Sequence, residues 1–269
     1  PPEGDRVAFR AASPQAGPLP PDDDNSVSRA LALWRQATGF DRGAFTVEVE
    51  KHIPPGSGLG GGSSNAVAVL KALERLSLPV PRPADLAGLS GRLGSDCPLF
   101  LETGPVLLEG RGERVTRLEP ELARRLRGLP LLLFKPGFPV PTAEAYRRLE
   151  QAGVYTPPEQ ARSLLEEWQS GGSPLPAPHN DFEYLLADWM PTLPLVLRKL
   201  RLAHRMDARL SGSGSCSFVV AGDHPGLQKV LQTELLQAWG PRCWMQATRI
   251  NQRLGNPWLA DSPARCKAP

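Results

Sequence analysis

Long apolar runs are missing from this chain of 269 residues: its longest, such as 129–134, fall far below the roughly 20 residues of a membrane-crossing helix. A membrane span is therefore not expected. Cysteine is scarce, and Cys97, Cys216, Cys243 and Cys266 form no C-x-x-C pair, so neither a zinc ribbon nor a thiol-redox motif is written here. A reducing cytoplasm is the expected setting. The isolated His52, His179, His204 and His224 show no H-E-x-x-H or H-x-H spacing, and no metal site is assigned. Excess charge of one sign is also absent. A formal net charge of +3 with 22% charged residues is too weak an imbalance to make nucleic acid or a membrane surface the main partner, although it suits a small anionic ligand. The chain opens Pro-Pro-Glu-Gly-Asp, with neither an initiator Met nor a charged-then-apolar signal segment, and reads as processed or a fragment. Its length suffices for a substantial core without disulfide or metal staples.

Periodicity organises what is present. Asn25 caps a helix reaching Thr38. Phe45, Val47 and Val49 alternate with Thr46, Glu48 and Glu50, giving a strand with one buried face that stops at Pro54-Pro55. Ala66, Val69, Leu70, Leu73 and Leu76 recur at helical spacing, so an amphipathic helix is expected from about Ser63 to Leu76. A short helix follows from Ala84 to about Leu93, then a hairpin from Val106 to Leu118 turning at Gly110-Arg-Gly112. Leu129 to Phe134 reads as a buried strand and Ala143 to Leu149 as a helix. A Gly/Pro/Ser-rich linker covers 170–178, and Asn180-Asp-Phe-Glu183 has capping-box spacing. Arg209 to Val220 sets a glycine/serine turn before an apolar strand. Residues 256–269 read as a tail.

Pro54-Pro-Gly-Ser-Gly-Leu-Gly-Gly-Gly-Ser-Ser-Asn65 is the most informative stretch, with five glycines and three serines wedged between a strand and a helix. Glycines admit positive φ and remove side chains that would block a ligand, so backbone N–H groups can converge on phosphate oxygens. A helix N-terminus adds unpaired N–H groups and the positive end of its dipole. Ser63 and Ser64 offer hydroxyls to phosphate or Mg²⁺. A flexible linker is the bland alternative, but linkers are not normally wedged between such elements. Gly56, Gly58 and Gly61 also satisfy G-x-G-x-x-G, yet the prolines of 78–83 argue against the parallel strand a dinucleotide fold requires next. No G-x-x-x-x-G-K-[ST], H-R-D or D-F-G is present, which excludes a standard P-loop and a protein kinase. In Leu93-Gly-Ser-Asp-Cys-Pro-Leu-Phe-Leu101, Asp96 is either an N-cap for the next turn or a carboxylate placed to take a proton from an acceptor hydroxyl.

Several separated segments resemble one family, the GHMP small-molecule kinases, and within it the diphosphocytidyl-methylerythritol kinases. Pro54 to Asn65 is similar to the phosphate loop P-x-x-x-G-L-G-G-G-S-S-N, Leu93 to Leu101 to L-G-A-D-V-P-F-F-L, and Leu210 to Phe218 to T-G-S-G-S-C-V-F. Lys135 to Tyr146 resembles P-x-x-x-V-S/P-T-A-x-x-F/Y, Asn180 to Glu183 resembles N-D-L-E, and Asp24-Asn25 fits D-N-L-I with Ser26 in place of Leu. The resemblance runs from about residue 5 to 250.

It implies an α+β, two-domain GHMP kinase fold. A ribosomal-protein-like ATP-binding domain would cover 1–129 and a sheet-plus-helices domain 130–255, with the active site between them. It further implies that Pro54, Pro55, Gly56, Ser57, Gly58, Leu59, Gly60, Gly61, Gly62, Ser63, Ser64 and Asn65 hold ATP, whose phosphates carry Mg²⁺. Lys51 and Asn25 would lie near the adenine, and Asp96 would be the base that activates the acceptor hydroxyl. Thr142 and Tyr146 would meet the cytidine end of a cytidine-diphosphate-methylerythritol substrate, where an aromatic face stacks on a base. For Tyr146 a plain core aromatic is the alternative; for Asn180 and Glu183 helix capping comes first; the Gly212 to Ser217 turn would shape the floor beneath the phosphates. A monomer or weak homodimer is expected. The family's opening A-K-L-N-L strand and G-x-R-x-D-G-Y-H segment, with their lysine and Tyr-His pair, do not occur here. Residues 3–9 resemble the strand that follows them, so the resemblance implies a truncated N-terminus. Another alcohol acceptor, or a non-catalytic nucleotide-binding module, would leave much the same loop signature.

Overall fold

The computed structural model describes residues 4–12, 17–41, 43–76, 85–171, 177–222 and 226–250. Strand β1 (Arg6–Ala11), helix α1 (Ser26–Thr38), strand β2 (Thr46–Lys51) and helix α2 (Gly61–Arg75) come first. The two strands pair in parallel, Arg6 opposite Thr46 through Ala11 opposite Lys51. A parallel pair needs a crossover, supplied here by α1. Each helix therefore runs back against the strands, and both helix N-termini emerge at the carboxyl edge of the pair. A hydrogen bond from Ser26 Oγ to the Gly62 carbonyl (2.9 Å) ties the two ends together.

Local chemistry explains the boundaries of α1. Asn25 Oδ1 accepts from the Val27 and Ser28 amides (2.8 and 2.9 Å), and Ser28 Oγ accepts from the Asn25 amide (3.0 Å). Three backbone donors are thus satisfied, those of Asn25 and Ser28 reciprocally. Gly39, at φ 67°, ends the helix in the left-handed region. Val27, Ala30, Leu31 and Trp34 are fully buried with Ala66 and Leu70 of α2. At about 1.5–3 kcal/mol for each large side chain, this seam anchors the first half of the chain. Beside it, the Asp5 carboxylate accepts from Arg35 (Nη2 2.6 Å, Nε 2.9 Å) and from the Phe45 amide (2.9 Å). The guanidinium lies over the Phe40 and Phe45 rings, 5.2 and 4.7 Å from their centroids.

Helix α3 (Leu86–Gly91) and a short 3-10 turn (Pro98–Leu101) lead to a hairpin of β3 (Val106–Glu109) and β4 (Arg114–Arg117), then α4 (Pro120–Leu126). The second half comprises β5 (Pro130–Lys135), α5 (Thr142–Ala152), α6 (Pro158–Gln169), α7 (Phe182–Trp189), α8 (Thr192–His204), β6 (Ala208–Leu210), β7 (Ser217–Val220), α9 (Leu227–Trp239) and β8 (Trp244–Arg249). Its strands form one antiparallel sheet in the order β6-β7-β5-β8. Leu132 and Phe134 of β5 point into a core shared with α5, α7, α8 and α9. That core is a cluster separate from the α1–α2 seam.

The mixed α and β architecture agrees with the sequence reading, with differences at the margins. Helix α2 starts at Gly61 rather than Ser63, because Gly60 takes φ 67° as its cap and lets two glycines enter the first turn. Helix α3 stops at Gly91, and α5 runs on to Ala152 before Gly153 ends it at φ 62°. Helices α4, α6, α8 and α9 and strands β6 and β8 were not anticipated. The tail at 256–269 lies outside the described residues, as do 172–176 of the linker.

Candidate active site

The glycine-rich loop fills the step from β2 to α2. Gly56, Gly58 and Gly60 all have positive φ, 63°, 75° and 67°, so the loop's course depends on residues without a Cβ. Close neighbours make that requirement concrete. A Cβ on Gly58 would stand 2.5 Å from the Ser211 carbonyl oxygen, and one on Gly60 would stand 2.7 Å from Phe100 Cζ. The free amides of the first turn of α2 and those of the loop face the edge where α1 also begins, an arrangement suited to an anion. Lys51, the last residue of β2, is 5% exposed, and its Nζ lies 3.5 Å from where a Cβ on Gly61 would be. Burial lowers its pKa, and among the described residues its ammonium has no hydrogen-bond partner. A buried, unpaired cation beside the positive end of a helix is electrostatically unfavourable alone, and a phosphate there would relieve it. The cradle fits the ATP phosphates for that reason.

The other wall comes from the second half of the chain. The turn between β6 and β7 lies against the loop: Ser211 Oγ donates to the Gly58 carbonyl (3.1 Å), and the Cys216 amide donates to the Ser57 carbonyl (2.9 Å). Ser215 Oγ donates to the Phe138 carbonyl (2.8 Å) and Ser213 Oγ to Thr142 Oγ1 (3.2 Å). Thr142, the first residue of α5, is thereby joined to the same turn, and Tyr146 lies one turn further along that helix.

Asp96 is exposed and has no hydrogen-bond partner among the described residues. The 3-10 turn that follows begins at Pro98 with Cys97 as its cap position and no side-chain cap bond, so capping is not what Asp96 does. Its surroundings link it to the cradle. Burial pushes the adjacent Cys97 thiol up, a hydrogen bond with the Ser63 side chain opposes this, and the Asp96 charge raises it further. Tyr146 is half-exposed, edge-on to Phe182 with ring centroids 5.0 Å apart. Burial and then the charge of Asp96 raise its phenol.

Two expected roles take another form. Asn25 spends its whole amide on local structure: Oδ1 caps α1, while Nδ2 donates to the Pro21 and Asp22 carbonyls (2.9 and 3.0 Å). No polar atom of its side chain is left for a base, so toward an adenine it acts only by shaping the loop before α1. Asn180 and Glu183 do not form a capping box. Asn180 Oδ1 does accept from the Phe182 amide (3.0 Å), but Glu183 turns away to the Leu210 amide (2.8 Å) and to Arg201 (2.9 Å). Phe100 beneath Gly60 and the Ser26–Gly62 tie were not foreseen, and neither carries a local sequence signal.

A glycine cradle opening a helix, closed by a second glycine turn from a separate antiparallel sheet, defines the GHMP kinase class of fold. The family described as "GHMP kinases N terminal domain" matches residues 25–104. The chain is 36% identical over 215 residues to the 4-diphosphocytidyl-2-C-methyl-D-erythritol kinase of Porphyromonas gingivalis, covering 79% of this chain and 74% of that protein. It is 35% identical to the chloroplastic enzyme of that name from Mentha piperita, over 77% of this chain and 50% of the relative. A crystal structure of 4-(cytidine 5'-diphospho)-2C-methyl-D-erythritol kinase superposes with a TM-score of 0.67 at 30% identity, over 93% of this chain and 85% of the other. The chain belongs to the 4-diphosphocytidyl-2-C-methyl-D-erythritol kinase family. It spans about half the length of the plant relatives it matches.

Proposed function

We propose that the chain is an ATP-dependent kinase that phosphorylates the 2-hydroxyl of 4-diphosphocytidyl-2-C-methyl-D-erythritol, a step of the non-mevalonate isoprenoid precursor pathway, in the cytoplasm. The observation that carries this reading is Asp96: an exposed carboxylate with no hydrogen-bond partner among the described residues, next to Cys97, whose side chain bonds to Ser63 in the first turn of α2. A carboxylate so placed orients the acceptor hydroxyl and takes its proton, while the cradle holds the phosphates. ATP, when bound, supplies the phosphoryl group, and Mg²⁺ carried on its phosphates offsets their charge. Residues 54–65 hold the phosphates, and Lys51, expected near the adenine, is assigned instead to the phosphate side, since its Nζ lies beside Gly61 at the start of α2. Thr142 and Tyr146 line the acceptor side, and Tyr146 offers a ring face to cytosine. With domains covering 1–129 and 130–255, the phosphate loop and Asp96 belong to the first and Thr142 and Tyr146 to the second.

The test is an ADP-release assay with the cytidyl substrate, mevalonate and homoserine. It is run on this chain and on one preceded by the family's A-K-L-N-L and Tyr-His segments. Turnover restricted to the cytidyl substrate is expected. Turnover with mevalonate or homoserine alone would overturn the acceptor assignment, and binding of both ligands by the extended chain without turnover would make it a non-catalytic module.

A further inference from the structure

The first turn of α7 does more than begin a helix. Asn180 Nδ2 donates to two carbonyls of the β6–β7 turn, Leu210 (3.1 Å) and Gly212 (2.9 Å). Glu183 Oε1 accepts from the Leu210 amide (2.8 Å), and Glu183 Oε2 accepts from Arg201 Nη1 (2.9 Å). Two side chains therefore hold three backbone groups of a glycine/serine turn, and the Glu183 side chain is only 12% exposed. The opposite side of that turn grips the phosphate loop through Ser211 Oγ to Gly58 O and the Cys216 amide to Ser57 O.

We propose that Asn180 and Glu183 are positioning residues for the ATP phosphate loop, acting through the 210–212 turn, a role beyond the bond that Asn180 Oδ1 accepts from the Phe182 amide at the start of α7. The inference rests on the reading of residues 54–65 as the phosphate cradle. Its physical basis is the weakness of glycine's own preferences. A loop with glycines at 56, 58 and 60 gains little order from itself, so its N–H groups stay aimed only if something outside holds the backbone. Ordering that is not built in must occur on binding and weakens it. The brace runs from α7 to residue 210, from residue 211 to Gly58, and so to the amides that face phosphate.

Calorimetry on the full chain tests this with three probes: Mg-ATP, Mg-tripolyphosphate and adenosine. Asn180→Asp, nearly isosteric but without the two donors, and Glu183→Ala should each weaken Mg-ATP and tripolyphosphate about tenfold, the scale of releasing one backbone residue. Adenosine affinity should be unchanged. Glu183→Gln keeps an acceptor for the Leu210 amide and should bind tripolyphosphate within about twofold of the parent, by that same scale. Ser211→Ala cuts the brace at its far end, so combining it with Asn180→Asp should add little to the larger single loss. Several results would overturn the proposal: unchanged tripolyphosphate affinity in folded Asn180→Asp, equal loss for adenosine, Glu183→Gln as impaired as Glu183→Ala, or multiplicative losses in the double variant. An unsubstituted chain that binds neither Mg-ATP nor tripolyphosphate would remove the cradle reading itself, an outcome distinct from all of these.

Discussion

Replacing Gly58 by alanine separates the two reasons a glycine is needed in the phosphate loop. The first is conformational: Gly58 sits at φ 75°, where an L-residue costs about 1–2 kcal/mol. The second is steric. Its added Cβ would lie 2.5 Å from the Ser211 carbonyl oxygen, 2.8 Å from that of Gly214 and 3.1 Å from the Gly214 amide nitrogen, all of them backbone atoms. Neither loop can yield without breaking the Ser211–Gly58 or Cys216–Ser57 bond, and overpacking of this kind costs about 1–3 kcal/mol more. Gly153 serves as the control, since it has φ 62° but nothing within 4 Å of its would-be Cβ. Urea unfolding should show Gly153→Ala losing about 1–2 kcal/mol and Gly58→Ala about 2–5 kcal/mol. Calorimetry should show a loss of about tenfold or more in Mg-ATP affinity, roughly 1.4 kcal/mol, for Gly58→Ala alone. Equal stability losses in the two variants, with Mg-ATP affinity intact in both, would refute the claim that the loops are held in register by close approach.

Asp96→Asn, assayed in the chain extended by the family's opening segments, should lower turnover by roughly 10²-fold or more while melting temperature and Mg-ATP affinity stay near the parent. Retention of more than about half the rate would eliminate it as the base on that scale. Burial pushes the Asp5 carboxyl up, but the Arg35 guanidinium and the Phe45 amide outweigh it and hold its pKa below the ordinary value. Because the folded-state pKa is depressed, its stabilisation is complete above the unfolded pKa and is lost as pH falls through the folded one. Acid titration of stability should therefore be shallower in Asp5→Asn, and Asp5→Ala should cost about 3–5 kcal/mol at neutral pH by leaving Arg35 buried and unpaired. Burial raises the Cys216 thiol to about 12, so with the other cysteines replaced by serine it should react with a disulfide reagent at pH 8 only at the rate of unfolding.

The first half of the chain was legible because its signals are local. Asn25, the alternation from Phe45 to Glu50 and the apolar spacing from Ala66 to Leu73 each act within a few residues, and each element forms where its pattern lies. Helices α6 and α8 carry equally local patterns, but both start at prolines, Pro158 as the first residue of one and Pro191 just before the other. A proline in the first turn loses no intrahelical bond, so here it marks a start rather than a break. Strand β8 is paired to β5 across more than a hundred residues, and its alternate residues are largely exposed, which leaves no two-period pattern to read.

The same distinction runs through the site. The glycine-rich step from β2 into α2 was readable because one segment holds the glycines, the serines and the helix start together. Its registry was not, since it depends on atoms that only the fold brings near: Ser211 on Gly58, Phe100 beneath Gly60, Asn180 on Leu210 and Gly212. Asn180-Asp-Phe-Glu183 shows how a local signal misleads. Its spacing satisfies a capping box, and Asn180 does accept from the Phe182 amide, but Glu183 finds a better-placed donor in the Leu210 amide and an ion partner in Arg201. A charged acceptor with one backbone donor and one guanidinium gains more than it would from its own helix start. The motif is therefore written in the first turn of a helix, while what it holds lies about thirty residues further along the chain.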